Sequence, residues 1–340
     1  MKKPTSKTTT PVTVLVPTYN EQSFIIDCLD SIIEGDYPLE AIEILVIDGN
    51  STDSTAELVT SYSKKHPFVK LLSNDKKIVP AAINIGLESA SHNVILWVGA
   101  HGIYSSDYII NSVRVLKEEK CASVGGVITP VGKTKIGRAI AVATTSKFGI
   151  GNAKYRYATK RQSVDTVFGG CWNKDDALSI GGFNEKWTRN QDYEFNCRLR
   201  ENIGEIILDP SIRCTYFCRE TIRGLAKQYF QYGFWRFHTF KEHSSSFTVR
   251  QAAPLLLLFG TLLSVALLIL DSKVGYLIPV TYLSIAILCS LTLSVEHKTP
   301  SYIFLLPIIF ATLHFFWAFG FVKSASYYLF KKTTSFLDEF

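Results

Sequence analysis

The feature that most limits what this chain can fold into lies near its C-terminal end, where charged side chains disappear for three successive intervals. No Asp, Glu, Lys or Arg lies between Arg250 and Asp271, nor within Val274–Val295 or Ser301–Val322. Each interval is long enough to cross a hydrocarbon core of about 30 Å as a helix. The sequence therefore predicts three membrane-spanning helices after a soluble domain. The alternative is a set of buried helices in a larger soluble core.

Basic residues favour one side of the predicted membrane. Seven of them approach the first span, namely Arg213, Arg219, Arg223, Lys227, Arg236, Lys241 and Arg250. Only Lys273 follows that span, so the positive-inside rule predicts an inner-membrane, multi-pass protein whose soluble domain faces the cytoplasm. The run Val12–Val16 is too short for a signal peptide, and we expect the N-terminus to stay in the cytoplasm. Three crossings would place Lys323, Lys331 and Lys332 outside, against the rule. Either the third segment re-enters the membrane, or the charge bias of the large domain decides the orientation.

Charge and cysteine content exclude two classes of protein. The formal net charge is +6, and the Lys and Arg residues are scattered among Asp and Glu, which argues against nucleic acid binding. The seven cysteines form no CxxC pair, so their spacing fits neither a disulfide framework nor a zinc site. We expect reduced thiols.

Apolar runs alternate with helical patterns in the first hundred residues. Strands are predicted at Val12–Val16, Ile42–Ile47, Val69–Leu72 and Val94–Val98, and helices at Ser23–Ile33, Ser54–Tyr62 and Ala81–Ser89. This order predicts a doubly wound α/β sheet. The predicted organisation is an N-terminal tail (1–11), an α/β domain (12–218), an interfacial helical linker (219–250), a membrane domain (251–323) and a C-terminal tail (324–340).

Polar residues follow each predicted strand. In open α/β sheets the ligand lies beyond the carboxyl ends of the strands, so these loops should converge on one crevice. They contain Pro17–Glu21, Asp48–Asp53, Asn74–Lys77 and Gly99–His101. A carboxylate, an aromatic ring and lysines around one crevice suit a base, a ribose and a diphosphate. No GxGxxG sequence opens the first helix, which argues against a dinucleotide-binding domain.

Five segments in this order resemble the family 2 glycosyltransferases with the GT-A fold, and among them the bacterial exopolysaccharide enzymes of the succinoglycan ExoA type. The matching segments are 16–21 (VPTYNE), 47–53 (IDGNSTD), 77–86 (KIVPAAINIG), 181–185 (GGFNE) and 190–195 (NQDYEF). The resemblance implies a GT-A doubly wound mixed sheet followed by C-terminal transmembrane helices. It also implies that Pro17, Tyr19, Glu21 and Asp48 bind the nucleoside and that Lys77 approaches the diphosphate. A strand-ending turn at Pro17 and Tyr19, and a cap at Asp48, are the alternatives.

The resemblance places the catalytic base at Asp192, where the family has the Asp of a Glu-Asp pair. An inverting transfer needs such a carboxylate to accept the proton of the acceptor hydroxyl. A carboxylate that stabilises the helix N-terminus is the alternative role for Asp192, and Glu194 is the reserve candidate.

The family also implies a divalent cation, Mg²⁺ or Mn²⁺, at an Asp-x-Asp or Asp-x-His motif. Here Gly99 stands where the first Asp is expected, and His101 remains as the only candidate metal ligand. His101 is also a candidate for binding the nucleotide-sugar, with a hydrogen bond to a phosphate or to a loop carbonyl as the alternative to metal ligation. Three explanations stay open: weakened metal use, replacement of the cation by Lys76 or Lys77, and loss of activity.

Acceptor residues are implied in two places. The loop with Gly170 and Trp172 resembles the family's acceptor-side loop, with Trp187 as a further aromatic candidate. Gln231, Trp235 and Arg236 are loosely similar to a motif that lines the acceptor channel of polysaccharide synthases. Burial of the tryptophans in the core, and anchoring of residues 219–250 at the membrane surface, are the alternatives.

Together these features predict an inverting transferase that moves a hexose from a UDP-sugar to a polyprenyl-diphosphate-linked saccharide in bacterial surface polysaccharide synthesis. The expected partners are the donor, that acceptor, membrane lipid and other polysaccharide-assembly proteins, with no nucleic acid. The alternative, motivated by Gly99, is a catalytically silent nucleotide-sugar-binding scaffold subunit of a membrane complex.

Overall fold

A computed structural model describes residues 9–151, 153–246 and 249–330. The chain forms two compact units, of which the first contains residues 1–129 and 158–216 and the second contains residues 130–157 and 217–340. The α/β domain expected over 12–218 is therefore interrupted, because residues 130–157 group with the C-terminal part of the chain.

One nine-stranded mixed sheet organises the first unit. Its strands are β1 (Val12–Thr18), β2 (Ile42–Asp48), β3 (Val69–Ser73), β4 (Val94–Trp97), β5 (Gly102–Tyr104), β6 (Ser123–Val131), β7 (Gln162–Val164), β8 (Gly170–Asn173) and β9 (Ile206–Phe217). The order is β3-β2-β1-β4-β8-β6-β9-β5, and β7 pairs with β9. The first four strands are mutually parallel, whereas β4 pairs with β8, and β9 with both β5 and β7, in antiparallel fashion.

Twelve helices are assigned in the described ranges. They are α1 (Ile25–Ile33), α2 (Thr55–Lys65), α3 (Val79–Ser89), α4 (Tyr108–Glu119), α5 (Lys135–Ala143), α6 (Lys147–Ile150), α7 (Lys174–Ser179), α8 (Gln191–Asn202), α9 (Ile222–Glu242), α10 (Val249–Ile269), α11 (Leu277–Glu296) and α12 (Tyr302–Phe330). The predicted strands β1 to β4 and helices α1 to α3 are confirmed, with ends shifted by at most three residues.

Glu43 holds three parts of the sheet together from a buried position on β2. Its carboxylate accepts hydrogen bonds from Thr13 Oγ1 on β1 at 2.7 Å, from Lys70 Nζ on β3 at 2.8 Å and from the Ser91 backbone N–H at 2.8 Å. Burial opposes its ionisation, but the hydrogen bonds from Lys70, Ser91 and Thr13 outweigh burial and lower the pKa of Glu43 to about 2.

The Glu43→Gln variant is expected to destabilise the first unit in a pH-dependent way. Because the folded pKa lies below the unfolded value, ionised Glu43 stabilises the fold above about pH 4.5, and this contribution is lost as the pH falls toward 2. The difference in Tm between wild type and variant should therefore shrink between pH 6 and pH 3. Glu57→Gln, at an exposed position of α2, is the control and should show a small difference that changes little with pH.

The second unit contains the three apolar helices expected from the sequence. The segments Gln251–Ile269, Lys273–Glu296 and Tyr302–Leu329 are each long and apolar enough to cross a membrane. The prediction of three such helices is thus confirmed, although α12 extends eight residues beyond the predicted end at Val322.

Two glycines bring α9 and α12 into close contact within this unit. A Cβ atom on Gly233 would lie 1.8 Å from the Trp317 carbonyl oxygen, and one on Gly320 would lie 2.0 Å from the Phe230 carbonyl oxygen. Any larger residue at either position would push the helices apart, as in small-residue helix pairs of membrane proteins. The packing of α9 along α12 therefore depends on both glycines.

Candidate functional site

The loops that follow β1 and β2 are tied together by hydrogen bonds. The Asn20 N–H donates to Ser51 Oγ at 2.8 Å, the Thr52 N–H donates to Asn20 Oδ1 at 2.8 Å, and the Glu21 N–H donates to Thr55 Oγ1 at 2.8 Å. Asn20 has a φ of 55°, a left-handed conformation that asparagine tolerates better than most residues. The first two motifs of the sequence therefore form a single rigid rim.

Asp48 ends β2 and is 6% exposed. Its carboxylate accepts hydrogen bonds from the Ser51 N–H at 2.8 Å and the Ser51 hydroxyl at 2.6 Å. Asp48 therefore has the turn-forming role that the sequence analysis gave as its alternative. A carboxylate has about four acceptor positions, so a nucleoside contact at Asp48 remains a prediction that this geometry permits.

Tyr19, Gly49 and Lys77 meet where β1, β2 and the loop after β3 come together. A Cβ atom on Gly49 would lie 3.4 Å from both Tyr19 Cδ2 and Lys77 Cα. The Tyr19 side chain is 49% exposed, and Pro17 pairs with Ile47 two residues before it in the sheet. An exposed aromatic ring and a lysine therefore border one point at the carboxyl edge of the sheet.

The two neighbouring lysines differ in their partners. Lys76 forms an ion pair with Glu185, whereas no protein partner is present for the Lys77 ammonium within the part of the chain that the structure describes. The segment that carries Glu185 is held to α3, because the Phe183 N–H donates to Asn84 Oδ1 at 2.8 Å and Asn84 Nδ2 donates to the Phe183 carbonyl at 2.9 Å. Of the two lysines, Lys77 is the better candidate for a diphosphate contact.

His101 is paired with Glu21 from the first loop, with 3.0 Å between Nδ1 and Oε1. The Tyr104 hydroxyl fixes the turn before it by accepting from the Gly99 N–H at 2.7 Å and donating to the Gly99 carbonyl at 3.1 Å. A Cβ atom on Gly99 would have Phe168 Cζ at 3.5 Å as its nearest neighbour, so the backbone there accommodates a side chain.

The residues at this place do not fit a divalent metal site. Over the described residues, no group of three or more His, Cys, Asp or Glu side chains is arranged to hold a metal ion. Hard divalent cations prefer several oxygen ligands, and Gly99 supplies no carboxylate. Glu21 and His101 alone are a poor set of ligands for a divalent cation, and the reaction proposed for this protein does not depend on a metal.

Asp192 is the second residue of α8 and is partly exposed. Its Oδ1 accepts a hydrogen bond from the Tyr193 N–H at 2.9 Å, which agrees with a helix-start carboxylate. Helix α8 is joined to the loop before β8, because Asn196 Nδ2 donates to Thr166 Oγ1 at 2.8 Å. Phe168 in that loop lies beside Gly99. A continuous series of contacts therefore connects the helix that carries Asp192 to the loop Gly99–His101, which follows β4.

Glu194 is not available as an alternative base. Its side chain is 2% exposed and accepts hydrogen bonds from Arg198 Nε at 2.6 Å and Arg198 Nη2 at 2.8 Å. Arg198 also donates to the Ile180 carbonyl at 2.7 Å. This buried bidentate pair fixes α8 and leaves Asp192 as the candidate at the helix start.

The acceptor role expected of Trp172 is corrected by its burial. The residue is 1% exposed, and its ring lies 5.3 Å from Phe195 and 6.0 Å from Phe183, centroid to centroid. Trp187 is 6% exposed and likewise does not present a ring at the surface. Gly170, at the start of β8, has a φ of 132°. Residues with a Cβ atom rarely adopt this conformation, which explains why the position is a glycine. An acceptor contact of the Gly170 loop stays a prediction.

The three candidates on α9 belong to the second unit. Trp235 and Arg236 are 7% and 5% exposed, and Arg236 Nη2 donates to the Ser246 carbonyl at 2.9 Å. Because Trp235 and Arg236 are buried, their expected contact with a lipid-linked diphosphate is corrected to a packing role. Gln231 is partly exposed and keeps its predicted role.

One residue that the sequence did not single out, Tyr216, also borders His101. The Tyr216 ring on β9 lies 5.1 Å from the His101 ring and 5.7 Å from Phe168. Tyr216 is more than a hundred residues from His101, and no motif surrounds it. Only the pairing of β5 with β9 brings the two together.

Comparison with known proteins identifies the class. Residues 13–178 match the model of Glycosyl transferase family 2. The chain is 28% identical over 323 residues to the dolichyl N-acetyl-alpha-D-glucosaminyl phosphate 3-beta-D-2,3-diacetamido-2,3-dideoxy-beta-D-glucuronosyltransferase of Methanococcus voltae, covering 92% of this chain and 96% of the relative. It is also 28% identical over 263 residues to the succinoglycan biosynthesis protein ExoA of Rhizobium meliloti (strain 1021), covering 76% and 79%.

A solved structure supports the fold. The mannosyltransferase PcManGT from Pyrobaculum calidifontis, solved in complex with GDP-Man and Mn²⁺, aligns with a TM-score of 0.61 at 20% identity, covering 96% of this chain and 89% of that one. Residues 13–178 therefore form a glycosyl transferase family 2 domain, and the fold is of the GT-A type.

Proposed function

We propose that this chain is an inverting transferase that moves a sugar from a UDP-sugar to a saccharide carried on a polyprenyl diphosphate. The observation that carries the proposal is the meeting of Tyr19, Gly49 and Lys77 at the carboxyl edge of the parallel strands. Tyr19 offers an exposed ring for a base, and Lys77 offers an ammonium that has no partner among the described residues for a diphosphate. The name of the Methanococcus relative specifies a dolichyl phosphate-linked acceptor, which supports a lipid carrier.

In the proposed reaction, Asp192 accepts the proton of the acceptor hydroxyl as its oxygen attacks the anomeric carbon. The bond between that carbon and the diphosphate oxygen breaks, and the electron pair leaves with UDP. Attack from the face opposite to the leaving group inverts the anomeric configuration. Lys77 stabilises the negative charge that gathers on the diphosphate, while Tyr19 and Asp48 hold the nucleoside.

The membrane helices give the reaction its location. A polyprenyl carrier keeps the acceptor saccharide at the bilayer surface, and α10, α11 and α12 are long and apolar enough to keep the enzyme there. We place the protein in the inner membrane with the α/β unit in the cytoplasm, where nucleotide sugars are made. The basic residues that precede α10 support this orientation.

Transfer by the purified full-length chain tests the proposal. Radiolabelled UDP-sugars would be incubated with the protein in detergent and with polyprenyl-diphosphate saccharides from a membrane lipid extract. Label is expected in the organic phase, with an anomeric configuration opposite to that of the donor by NMR. Donor binding without any consumption would instead favour the silent scaffold subunit, the second candidate that Gly99 motivates.

The Gly99→Asp variant is expected to gain metal dependence. Because a Cβ atom there meets nothing closer than 3.5 Å, the new carboxylate fits the turn beside His101 and Glu21 and can complete an oxygen-rich donor set. Mn²⁺ should raise donor hydrolysis of the variant by about tenfold or more, whereas EDTA should change the wild-type rate little. Equal loss of activity in both proteins on EDTA treatment would show that the wild type already uses a metal.

A further inference from the structure

The two units of the chain carry opposite net charges. Residues 130–157 and 217–340 contain 17 Lys and Arg against 6 Asp and Glu, a formal net charge of +11. Residues 1–129 and 158–216 contain 19 against 24, a net charge of −5. The formal net charge of the whole chain is only +6, and the difference between the units becomes visible when the charges of each unit are counted separately.

The inserted segment 130–157 contributes six of the cations and no acidic residue. On α5 the side chains divide into two faces. Ala139 and Ile140 are buried in a cluster with Leu306, Ile309 and Phe310 of α12, whereas Lys135 and Arg138 are exposed. Lys147 at the start of α6 is exposed as well. The segment is thus a basic amphipathic element packed on an apolar helix.

Two further contacts fix this segment within the second unit. The Phe148 ring lies 4.9 Å from Phe310, and the Phe148 carbonyl lies 2.9 Å from His314 Nε2. The Glu220 carboxylate, just before α9, accepts from the Lys133 and Thr134 N–H groups at 2.7 and 2.9 Å. The exposed cations of α5 and the beginning of α9 therefore belong to one rigid border of the apolar helices.

Carboxylate partners are scarce on this border. All ion pairs found among the described residues lie in the first unit. Lys135, Arg138, Arg223 and Lys227 are exposed, and no described carboxylate lies within 4.0 Å of their charged atoms. Arg138 Nη1 donates only to the Lys133 carbonyl, at 2.9 Å.

We propose that the exposed basic side of α5, α6 and the first half of α9 binds the phosphates of anionic phospholipids in the bilayer that holds the apolar helices. Clusters of cations next to membrane helices attract acidic headgroups, and lysine and arginine stems extend along apolar surface while their charges reach the phosphates. The cations are spread over three helices, α5, α6 and α9. That arrangement fits many headgroups at a surface better than one acceptor diphosphate. The sugar chemistry of the first unit plays no part in this binding.

Hydrogen exchange of the full-length chain in nanodiscs tests the proposal. Peptides that cover 130–157 and 222–233 should exchange more slowly in discs of phosphatidylcholine with phosphatidylglycerol than in phosphatidylcholine alone. Added salt at about 1 M should abolish the difference, because it shortens the Debye length to about 3 Å. The variant Lys135→Gln/Arg138→Gln/Lys147→Gln should lose most of the lipid dependence. The control Lys64→Gln/Lys65→Gln/Lys120→Gln removes the same charge from exposed positions of the first unit and should keep it.

Three results would overturn the proposal. The first is equal exchange of the wild type in both lipids, a comparison that needs no variant. The second is salt-resistant protection. The third is protection in pure phosphatidylcholine by added polyprenyl phosphate but not by phosphatidylglycerol, which would assign the surface to the acceptor. Exchange of the triple variant in phosphatidylcholine should match the wild type, and this comparison separates lost lipid binding from lost packing.

Discussion

The Asp192→Asn variant is expected to bind UDP-sugar with unchanged affinity and to transfer sugar about 10²–10⁴-fold more slowly than the wild type. The amide keeps the size of the side chain and its oxygen still accepts the Tyr193 N–H, so the start of α8 should be preserved. It cannot accept the proton of the acceptor hydroxyl. The loss should therefore appear in kcat, measured as labelled lipid product per unit time.

Asp175→Asn is the matched control for this variant. Asp175 lies in the first turn of α7 and is exposed, so its replacement removes a helix-start carboxylate of the same kind without touching the proposed site. Its transfer rate should equal that of the wild type. An active Asp192→Asn enzyme, or equal loss in both variants, would reduce Asp192 to a helix-stabilising carboxylate and remove the catalytic assignment.

The Trp172→Ala variant is expected to lose about 3–5 kcal/mol of folding free energy, the usual cost of truncating a buried large aromatic residue. Trp172 is among the largest fully buried side chains; it lies on β8 opposite Ile95 of β4, and its ring contacts those of Phe183 and Phe195. Alanine would leave a cavity that these rigid neighbours cannot fill. Thermal unfolding of the full-length protein in detergent measures the effect as a large fall in Tm.

Tyr19→Ala provides the comparison for a ring at the surface. Since Tyr19 is half exposed, its removal should leave Tm almost unchanged and weaken UDP binding. If Trp172→Ala kept the wild-type Tm and raised only the KM for the acceptor, the ring would contact a sugar after all. The core assignment would then be wrong.

The parallel half of the sheet was predictable because each of its elements carries a local signal. Buried parallel strands such as Ile42–Asp48 read as continuous apolar runs, and the residues that close them are turn formers. The antiparallel half was not predictable in the same way. Strands such as β5 and β7 have three residues each, too few for a periodic pattern, and they pair with β9 across a long stretch of sequence.

The division of the chain was hidden for a related reason. Residues 130–157 continue a soluble-looking sequence, and the apolar face of α5 is short. Only its packing on α12 shows that the segment belongs with the membrane helices. The charge separation between the units follows from that grouping.

Within the site, the sequence motifs identified the loops but did not predict which side chains are buried or ion-paired. The resemblance named Lys77 for the diphosphate, whereas Lys76 and Lys77 were both left open as replacements for a cation; the ion pair of Lys76 with Glu185 separates their roles. It likewise placed Trp172, Trp235 and Arg236 at an acceptor surface, whereas burial is decided by partners on other elements. The pairing of His101 with Glu21 joins loops eighty residues apart, and a single sequence contains no signal for it.

Calorimetric titration of the full-length protein with UDP is the decisive experiment, because the roles proposed for Tyr19, Lys77 and Asp192 all require one nucleotide at the carboxyl edge of the parallel strands. Wild-type protein should bind one UDP per chain with a Kd below about 1 mM, and Tyr19→Ala and Lys77→Gln should each bind more weakly. No heat of binding from UDP or any UDP-sugar, or wild-type affinity in both variants, would contradict the account.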